Sequence, residues 1–469
     1  MIGMIELNAG EIESAVKGSV VRGARDVVFT GVSIDSRTVA PGEIFFAIRG
    51  PHMDGHKFIA DVPAHGALGA VVADDYIPSG DLPENFVIIR VNDTHEALKA
   101  LAHSVRLKWK GTLAAITGSV GKTTTRDFAC QLINIRFRAC QTPGNYNNLF
   151  GLPLALFGLA PEYEVGIFEM GMSAPGEIAE MCRIALPEIG ILTNVAPVHL
   201  EFFPSLDQIA EAKGELIEGL KPDGTLIYNA DDPLVCKLAG RFNGKKISFG
   251  RSKDADVRAD DIKIHNLYKT YFQLSYGGRT FRAMLRLAGE HFVLNALPGV
   301  ALALNLGMTI EEIVPDLEQL CLVEMRGTIT RFRESFAVID DSYNSSPRAL
   351  QSMIDVLSTV PGFSRRILFA GEMLELGPDA PRLHFECGEF AAKRGIDMVI
   401  GVAGNAAEIV RASNETGKIA THFFETSEDA ANFAVKNVRP GDLLLVKGSR
   451  GIKMEKVVNK LKGLDASVG

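Results

Sequence analysis

Short apolar runs alternate with helical patterns along the middle of the chain. The runs LAAIT, VGIFEMG and IGILTNV have the length and composition of buried strands. Helical patterns follow them, beginning at Lys122, at Pro175 and after Ser205, where Gln208 stands three residues on as in a capping box. Because strands that alternate with helices are usually joined by right-handed crossovers, this pattern predicts a buried parallel sheet.

The regions on either side have different patterns. Before the alternating segment, strand-like runs such as GEIFFAIRG and NFVIIRV lie among turn residues, and a helix is predicted from Thr94 to Trp109. After it, residues 255–288 hold two or three strand-like runs, one pair joined through Gly277 and Gly278, before a helix from His291 to Leu306. A second alternating series starts at Phe336 with FAVIDDSY and continues through RRILFAG, DMVIGVAG and DLLLVKGS. The chain is therefore predicted to be an α/β protein with domains at 1–108, 109–320 and 321–469.

Length and composition agree with several globular domains. The 469 residues correspond to three domains at about 150 residues each. Hydrophobic residues make up 46% and charged residues 23%, so each domain can bury a core without metal or disulfides. The formal charge of −8 opposes general binding to nucleic acid, which relies on a surplus of Lys and Arg. An anionic ligand must therefore be held by local groups.

The cysteines and the N-terminus indicate a cytoplasmic location. Six cysteines are scattered without a Cys-x-x-Cys pair, which is typical of thiols in a reducing compartment rather than of a zinc site or a disulfide framework. The N-terminal MIGMIELNAGEIESAVKG has acidic residues where a signal peptide has an apolar core. No apolar run approaches the about 18 residues of a membrane span. We therefore expect no membrane insertion.

The stretch AAITGSVGKTTTRDF resembles a phosphate-binding loop without matching its strict pattern. Ile116 stands where that pattern has its first glycine. The surrounding pattern is nevertheless that of a phosphate site, because a strand is followed by a glycine-containing loop and then by a helix. Backbone N–H groups and a lysine ammonium can then bind phosphates, and a threonine hydroxyl can bind Mg²⁺. The residues are Gly118, Ser119, Gly121, Lys122, Thr123 and Thr124.

Two further side chains follow neighbouring strands of the predicted sheet. Glu169 ends the strand VGIFEMG, and His199 follows IGILTNV, both at the carboxyl edge where ligands of open α/β sheets collect. A carboxylate at this edge suits a phosphate-bound Mg²⁺, although a surface glutamate and a structural histidine are the ordinary alternatives.

A series of motifs in order along nearly the whole chain resembles the Mur ligase family. It comprises TGSVGKTTT, TPGNYNNLFGLP, EMGMSAPGEI, TNVAPVHLEFF, EAKGEL, GEHFVLNALPGVALAL, MRGTITRF, DDSYNSSPRAL, GEMLELG and LVKGSRGIKME. The family's own loop, Thr-Gly-x-x-Gly-Lys-Thr, also lacks the first glycine. The resemblance implies an N-terminal domain that binds a UDP-sugar, a central P-loop-type parallel-sheet ATPase domain and a Rossmann-like C-terminal ligase domain.

Within the family the motifs are closest to the members that add D-alanyl-D-alanine to a UDP-linked muramyl tripeptide. The implied reaction uses ATP to phosphorylate the terminal carboxylate of the tripeptide, and the amine of the dipeptide then attacks the acyl phosphate. Positioning and charge neutralisation suffice for such chemistry. The implied ligands are ATP, two Mg²⁺, the UDP-tripeptide and D-Ala-D-Ala, bound to a cytoplasmic monomer.

The resemblance also implies roles for individual residues around the nucleotide. Lys213, which alone would be taken for a surface lysine, matches a lysine that carries CO₂ as a carbamate and so becomes an oxygen ligand, which requires a partly neutral amine. The implied Mg²⁺ ligands are Thr123, Glu169, His199 and Lys213, and catalysis is assigned to Lys122, His199 and Lys213. The remaining nucleotide contacts are Asn295 with adenine, Arg326 with phosphate and Asp341 with ribose, while Tyr343 could pack against the nucleotide. Asn295 could instead be an ordinary polar residue of a helix, and Arg326 could form a surface ion pair. Tyr343 could simply shape the turn.

The substrate contacts implied by the resemblance lie in two polar loops. Ser33, Asp35, Ser36 and Arg37 would hold the UDP-sugar, and Asn145, Asn147 and Asn148 would line the channel for the muramyl peptide. Taken alone, the first loop is an ordinary surface turn, and turns also favour asparagine.

Two other functions stay open from the sequence. The ligase that adds the third residue shares this N-terminal pattern, yet its Asp-Asn-Pro-Lys/Arg motif does not occur here. A P-loop NTPase that acts as a switch on a protein partner would share the loop. A switch should hydrolyse ATP without a peptide substrate, whereas a ligase should require both of its substrates.

Overall fold

The computed structural model describes residues 6–50, 53–77, 82–198, 200–203, 205–415 and 417–466. These form two compact units. The first unit comprises residues 1–116, 136–190 and 215–225, and the second comprises residues 117–135, 191–214 and 226–469. The three domain boundaries derived from the sequence stay a prediction. Within the described part of the chain, no helix is long and apolar enough to cross a membrane.

The N-terminal part of the first unit contains a mixed five-stranded sheet, the antiparallel pair β1–β3, and the α-helices α1 and α2. Its strands run in the order β2-β7-β6-β5-β4, with β2 antiparallel to β7 and the other pairs parallel. The elements are β1 (Leu7–Asn8), α1 (Ala9–Val16), β2 (Ser19–Arg22), β3 (Val28–Phe29), β4 (Gly31–Ser33), β5 (Glu43–Phe46), β6 (Gly69–Ala73), β7 (Val87–Val91) and α2 (Thr94–Lys108). The helix predicted from Thr94 is confirmed as α2, and it begins there because the Asp93 side chain accepts from the N–H groups of His95 and Glu96.

The central part of the chain has the predicted alternation of strands and helices. Its elements are β8 (Thr112–Thr117), α3 (Lys122–Ile133), β9 (Ala139–Gln141), α4 (Gly151–Leu156), β10 (Val165–Glu169), α5 (Glu177–Ala185), β11 (Ile189–Leu192), α6 (Leu206–Glu218) and β12 (Thr225–Asn229). In the first unit β10 pairs in parallel with both β8 and β9, and all five of its residues are buried. Parallel strands with both faces covered are expected to be apolar throughout, as these runs are.

The second unit continues with a sheet in which antiparallel strands follow a parallel pair. The elements are α7 (Pro233–Ala239), β13 (Lys245–Gly250), β14 (Val257–Asn266), β15 (Lys269–Tyr276), β16 (Arg279–Leu285), α8 (Glu290–Asn305) and α9 (Ile310–Ile313). Strands β13 and β14 are parallel, while β14, β15 and β16 are antiparallel neighbours. The predicted hairpin through Gly277 and Gly278 is confirmed.

The last part of the second unit is a sheet covered on both faces. Its elements are β17 (Thr328–Arg331), β18 (Ala337–Asp341), α10 (Pro347–Thr359), β19 (Arg365–Gly371), α11 (Ala380–Lys393), β20 (Met398–Val402), α12 (Ala406–Asn414), β21 (Ala420–Phe424), α13 (Ser427–Asn437), β22 (Asp442–Lys447) and α14 (Glu455–Ala466). The strand order is β17-β18-β22-β19-β20-β21, parallel except for the β17–β18 pair. Leu443 and Leu445 of β22 lie in one apolar core, and Leu444 and Val446 lie in the other. The α/β fold class is confirmed.

Candidate active site

The loop between β8 and α3 has the backbone geometry of an anion-binding turn. Gly118 and Gly121 have φ values of 151° and 85°, and α3 begins at Lys122. A Cβ atom on Gly118 would lie 1.9 Å from Thr193 Oγ1, so there is no room for a side chain. The first N–H groups of a helix have no acceptor within it, and together with the helix dipole they attract an anion. The loop therefore fits a phosphate.

The segment that follows β11 holds this loop in place. Asn194 Oδ1 accepts from the N–H of Val120 at 2.9 Å, and the carbonyl of Asn194 accepts from the N–H of Ser119 at 2.9 Å. The Ser119 hydroxyl accepts from the N–H of Ala196 at 2.8 Å. Two loop amides thus donate to acceptors within the protein, so the amides left to donate to an anion are those at the start of α3. Asn194 received no role from the sequence, although its place after a parallel strand was a usable signal.

Lysine and threonine side chains of α3 lie at the mouth of the loop. Lys122 Nζ donates to the carbonyl of Gly118 at 2.8 Å, which puts the ammonium group over the loop. Thr123 Oγ1 accepts from Arg326 Nη2 at 3.3 Å. Thr124 is buried one position further along the helix. The structure thus brings the predicted phosphate residues of the loop together with Arg326, which is 203 residues away in the sequence.

Asn295, on α8, lies against the phosphate loop. A Cβ atom added to Gly121 would stand 2.4 Å from Asn295 Oδ1. The amide of Asn295 is therefore beside the turn into α3. A contact between this amide and adenine stays a prediction.

Lys213, on α6, is fully buried. Its side chain has a relative exposure of 2%, unlike the surface lysine that its local sequence suggests. Burial lowers the pKa of the Lys213 amine well below its ordinary value, and the nearby positive charge of Lys122 lowers this pKa further. A lysine in this environment is readily neutral, which is the condition for reaction with CO₂.

A second group of charged side chains surrounds the turn after β18. The Arg326 guanidinium lies 4.0 Å from the centre of the Tyr343 ring, within cation–π distance. Lys447 Nζ forms an ion pair with Asp341 Oδ2 at 2.5 Å. His291 is partly buried, and desolvation together with the nearby charge of Lys447 lowers its pKa to about 3. Neither Lys447 nor His291 received a role from the sequence.

In the first unit, the predicted UDP-sugar loop follows β4 and is internally hydrogen-bonded. Arg37 donates to both oxygens of Asp35, at 2.9 and 2.6 Å, and its N–H donates to the same carboxylate. These contacts lower the pKa of Asp35 to about 2. Ser33 is buried and hydrogen-bonds the backbone of Asp35, and Ser36 stands between the paired residues. The result is an exposed guanidinium at a fixed position, which suits an anionic ligand.

The predicted peptide-channel asparagines differ from one another in their contacts. Asn147 Nδ2 donates to Glu169 Oε1 at 2.8 Å, at the end of β10, where Glu169 is buried. Asn148 Oδ1 accepts from the N–H groups of Phe150 and Gly151 and so supports the start of α4. Asn145 is exposed. The structure thus brings Asn147 to the predicted metal ligand, while Asn148 has a local structural contact.

The predicted metal ligands lie in different parts of the structure. Thr123 and Lys213 belong to the second unit and Glu169 to the first, while His199 lies outside the described residues. Among the residues that the structure describes, no group of three His, Cys, Asp or Glu side chains is arranged to hold a metal ion. A carbamate on Lys213 would add an oxygen donor that the unmodified lysine does not offer.

Family models match three consecutive parts of the chain. They are described as "Mur ligase family, catalytic domain" for residues 28–106, "Mur ligase middle domain" for residues 116–303 and "Mur ligase, glutamate ligase domain" for residues 325–450. Relatives from Bacillus subtilis and Escherichia coli are each 32% identical over 98% of this chain and 99% of their own. Both are named UDP-N-acetylmuramoyl-tripeptide--D-alanyl-D-alanine ligase.

Solved structures resemble the whole chain as well. The MurF structure from Acinetobacter baumannii has a TM-score of 0.89 at 27% identity and covers 98% of this chain and 100% of its own. The MurF ligase from Thermotoga maritima, solved in complex with ADP, has a TM-score of 0.82 at 28% identity and covers 94% of this chain and 98% of its own. The similarity to both sequences and structures therefore spans all three matched parts.

Proposed function

The chain belongs to the Mur ligase family, and we propose that it is the ATP-dependent ligase that joins D-alanyl-D-alanine to UDP-N-acetylmuramoyl-tripeptide in peptidoglycan precursor synthesis. The observation that carries this proposal is the similarity, over 98% of the chain, to two ligases with that name. The reaction consumes ATP and releases ADP and phosphate. Since its substrates are nucleotides and nucleotide-linked precursors, we place it in the cytoplasm, and we propose that the protein acts as a monomer.

In the proposed reaction Lys122 and the start of α3 bind the phosphates of ATP. The position of Lys122 Nζ over the loop, 2.8 Å from the carbonyl of Gly118, supports this role. Arg326 supplies a second positive charge next to Thr123, from which it can stabilise charge that develops on the transferred phosphoryl group. Asn295 and Asp341 are assigned to adenine and ribose, with Tyr343 packing against Arg326. The γ-phosphoryl group of ATP passes to the terminal carboxylate of the tripeptide, which forms an acyl phosphate and releases ADP. The dipeptide amine then attacks the acyl carbon, loses a proton and displaces phosphate.

Two Mg²⁺ ions are assigned to the oxygen and nitrogen donors that the sequence predicts as metal ligands. When bound, Mg²⁺ neutralises phosphate charge and orients the reacting oxygens. The burial and lowered pKa of Lys213 support its carbamylation, and the hydroxyl of Thr123 is a ligand of the type that Mg²⁺ accepts. The proposed ligand set is Thr123, Glu169, His199 and carbamylated Lys213.

The substrate loops complete the proposed assignment. The guanidinium of Arg37, fixed by Asp35, is proposed to bind the diphosphate of the UDP-sugar, together with Ser33 and Ser36. The asparagines after β9 are proposed to line the path of the muramyl peptide, and the hydrogen bond from Asn147 to Glu169 supports a link between this path and the metal ligand.

Substrate omission tests the proposed function. Phosphate release should require ATP, the UDP-tripeptide and D-Ala-D-Ala together, and the product should have the mass of the tripeptide extended by the dipeptide. Lys122→Ala should abolish product formation, whereas Lys237→Ala, an exposed lysine of the same unit, should not. Equal phosphate release without peptide substrates would instead favour an NTPase switch.

A further inference from the structure

A buried ion pair joins the ends of two neighbouring strands at the nucleotide side of the second unit. Asp341 ends β18, Lys447 ends β22, and the two residues are direct partners in the parallel register. Lys447 Nζ lies 2.5 Å from Asp341 Oδ2, and the side chains are 4% and 14% exposed. The same ammonium donates to the carbonyl of Asn344 at 2.9 Å. One lysine therefore holds both ends of the turn 341–344.

This turn is connected to the phosphate loop through an aromatic contact. Tyr343, in the middle of the turn, packs against the Arg326 guanidinium, with 4.0 Å between its ring centre and Arg326 Cζ. The N–H of Tyr343 also donates to the carbonyl of Met325 at 3.2 Å. Arg326 in turn donates to Thr123 Oγ1 at the first turn of α3. The contacts thus run without a gap from Lys447 to the residues proposed to bind the nucleotide.

Stability alone does not explain a charged lysine at this position. Removing two charges from water is costly, and well-packed apolar residues often serve a fold at least as well as a buried ion pair. The neighbouring positions of β22 are apolar and buried, namely Leu444, Leu445 and Val446. A charged end to such a strand is better explained by what it orients.

We propose that Lys447 is a positioning residue for nucleotide binding, which orients the Asp341 carboxylate toward the ribose and fixes the turn 342–344 under Arg326. The inference rests on the proposed function through the assignment of Asp341 to the ribose hydroxyls. Lys447 itself needs no contact with the nucleotide. Substitution of Lys447 should therefore reduce the part of the nucleotide affinity that depends on the ribose hydroxyls.

Binding of ADP and of 2′,3′-dideoxy-ADP, measured by calorimetry, tests the proposal. The parent protein should bind ADP more tightly by about tenfold, the value of one good hydrogen bond to a charged group. Lys447→Met should lose most of this preference by weakening ADP binding, with little change for the dideoxy nucleotide. Lys460→Met, which removes an exposed lysine paired with Glu428, should behave as the parent does.

The double variant Lys447→Met/Asp341→Asn guards against misfolding, because it leaves no unpaired buried carboxylate. It should bind ADP no more weakly than Asp341→Asn alone, since both changes act through one carboxylate. Equal weakening of ADP and dideoxy-ADP by Lys447→Met, or additive losses in the double variant, would overturn the positioning role. If the parent fails to distinguish the two nucleotides, or if Asp341→Asn keeps the preference of the parent, the assignment of Asp341 to ribose fails as well. If the parent distinguishes them, Asp341→Asn loses the preference and Lys447→Met retains it, the inference alone fails.

Discussion

Lys213 is a buried amine whose environment favours the neutral form. Its side chain is 2% exposed, and its pKa is lowered by burial first and by the charge of Lys122 second. Because its pKa is lowered, the Lys213 amine loses its proton at a lower pH than a surface lysine does, so more of it can react with CO₂ near neutrality. Below that pKa the protonated amine is unreactive, so the carbamate should be lost as the pH falls.

We therefore expect Lys213→Ala to lose activity by more than the about 10- to 100-fold that removing an outer-shell partner of a metal site costs. A small added carboxylate such as acetate should restore part of it by supplying the missing oxygens. Activity of the parent should also fall when CO₂ and bicarbonate are removed, and fall further at lower pH. Steady-state rates measure all three effects. Full activity of Lys213→Ala would reject the carbamate.

Gly121 illustrates why one atom in the phosphate loop matters. Its φ of 85° is unfavourable for other residues, and a Cβ atom there would lie 2.4 Å from Asn295 Oδ1. Gly176, which precedes α5, has a nearly identical φ of 89°, but a Cβ atom added to it would meet nothing within 4 Å. An alanine at either position strains the backbone, whereas only an alanine at Gly121 would also displace Asn295.

Both Gly121→Ala and Gly176→Ala should therefore destabilise the protein by about 1–2 kcal/mol, the cost of a left-handed conformation with a side chain. Gly121→Ala alone should weaken ADP binding, since it moves the Asn295 amide and the start of α3. Thermal unfolding and calorimetric titration with ADP give the two quantities. Unchanged ADP affinity in Gly121→Ala would mean that Asn295 and the loop tolerate the displacement.

At the scale of elements, Arg106 connects α2 to two neighbouring elements of its unit. The Arg106 guanidinium donates to the carbonyl of Ala185 at 2.7 Å, to that of Leu186 at 3.1 Å and to both oxygens of Glu188. Glu188 also accepts from the N–H of Leu113 in β8. The Arg106 side chain thus links α2 to the end of α5 and, through Glu188, to the start of β8.

Arg106→Met should remove these hydrogen bonds and destabilise the first unit by about 2–3 kcal/mol, below the range for a fully buried pair because Glu188 is partly exposed. Lys108→Met, on the same helix but in an exposed ion pair with Glu11, should change stability by no more than about 0.5 kcal/mol. Trp109, the single tryptophan of the chain, lies beside Arg106, so its fluorescence during urea unfolding reports on this unit. Equal effects of the two substitutions would contradict this account.

The elements that the sequence predicted are those buried on both faces or bounded by clear caps. Strands β8, β10 and β22 each contain a continuous apolar run, and α2 and α3 begin at the predicted residues. Strand β21 (Ala420–Phe424) was missed because it lies at the edge of its sheet, where half-buried residues give no continuous apolar run. Helix α5 starts two residues after the predicted Pro175, at Glu177. Edges and boundaries depend on tertiary packing, which a local pattern does not contain.

In the candidate site, too, the sequence predicted some residues and missed others. Motifs identified Lys122, Arg326 and Asp341, whereas Asn194 and Lys447 received no role. Their contacts explain why: Asn194 holds Val120, which is 74 residues away, and Lys447 holds Asp341, which is 106 residues away. Such supporting partners become visible when the fold brings distant strand ends together.

For the whole molecule, the net charge and the local charges have opposite signs. The formal charge is −8, yet the second unit places Lys122 and Arg326 among the residues proposed to surround the nucleotide. Because a charge beyond the Debye length of about 8 Å is screened at physiological salt, these near cations outweigh the distant acidic surface. We therefore expect ADP to contact residues of the second unit and UDP to contact residues of the first.

Hydrogen exchange measured by mass spectrometry separates these two sites in one chain. Excess ADP should slow exchange in peptides covering 117–124 and 341–344, and UDP should slow exchange in peptides covering 33–37. A ligand at 100 times its dissociation constant stabilises the bound form by about 2.7 kcal/mol, so amides that exchange only from the ligand-free form should slow by up to about 100-fold. Lys122→Ala should abolish the ADP effect and leave the UDP effect intact. Protection of 117–124 by UDP alone would reverse the assignment of the two loops.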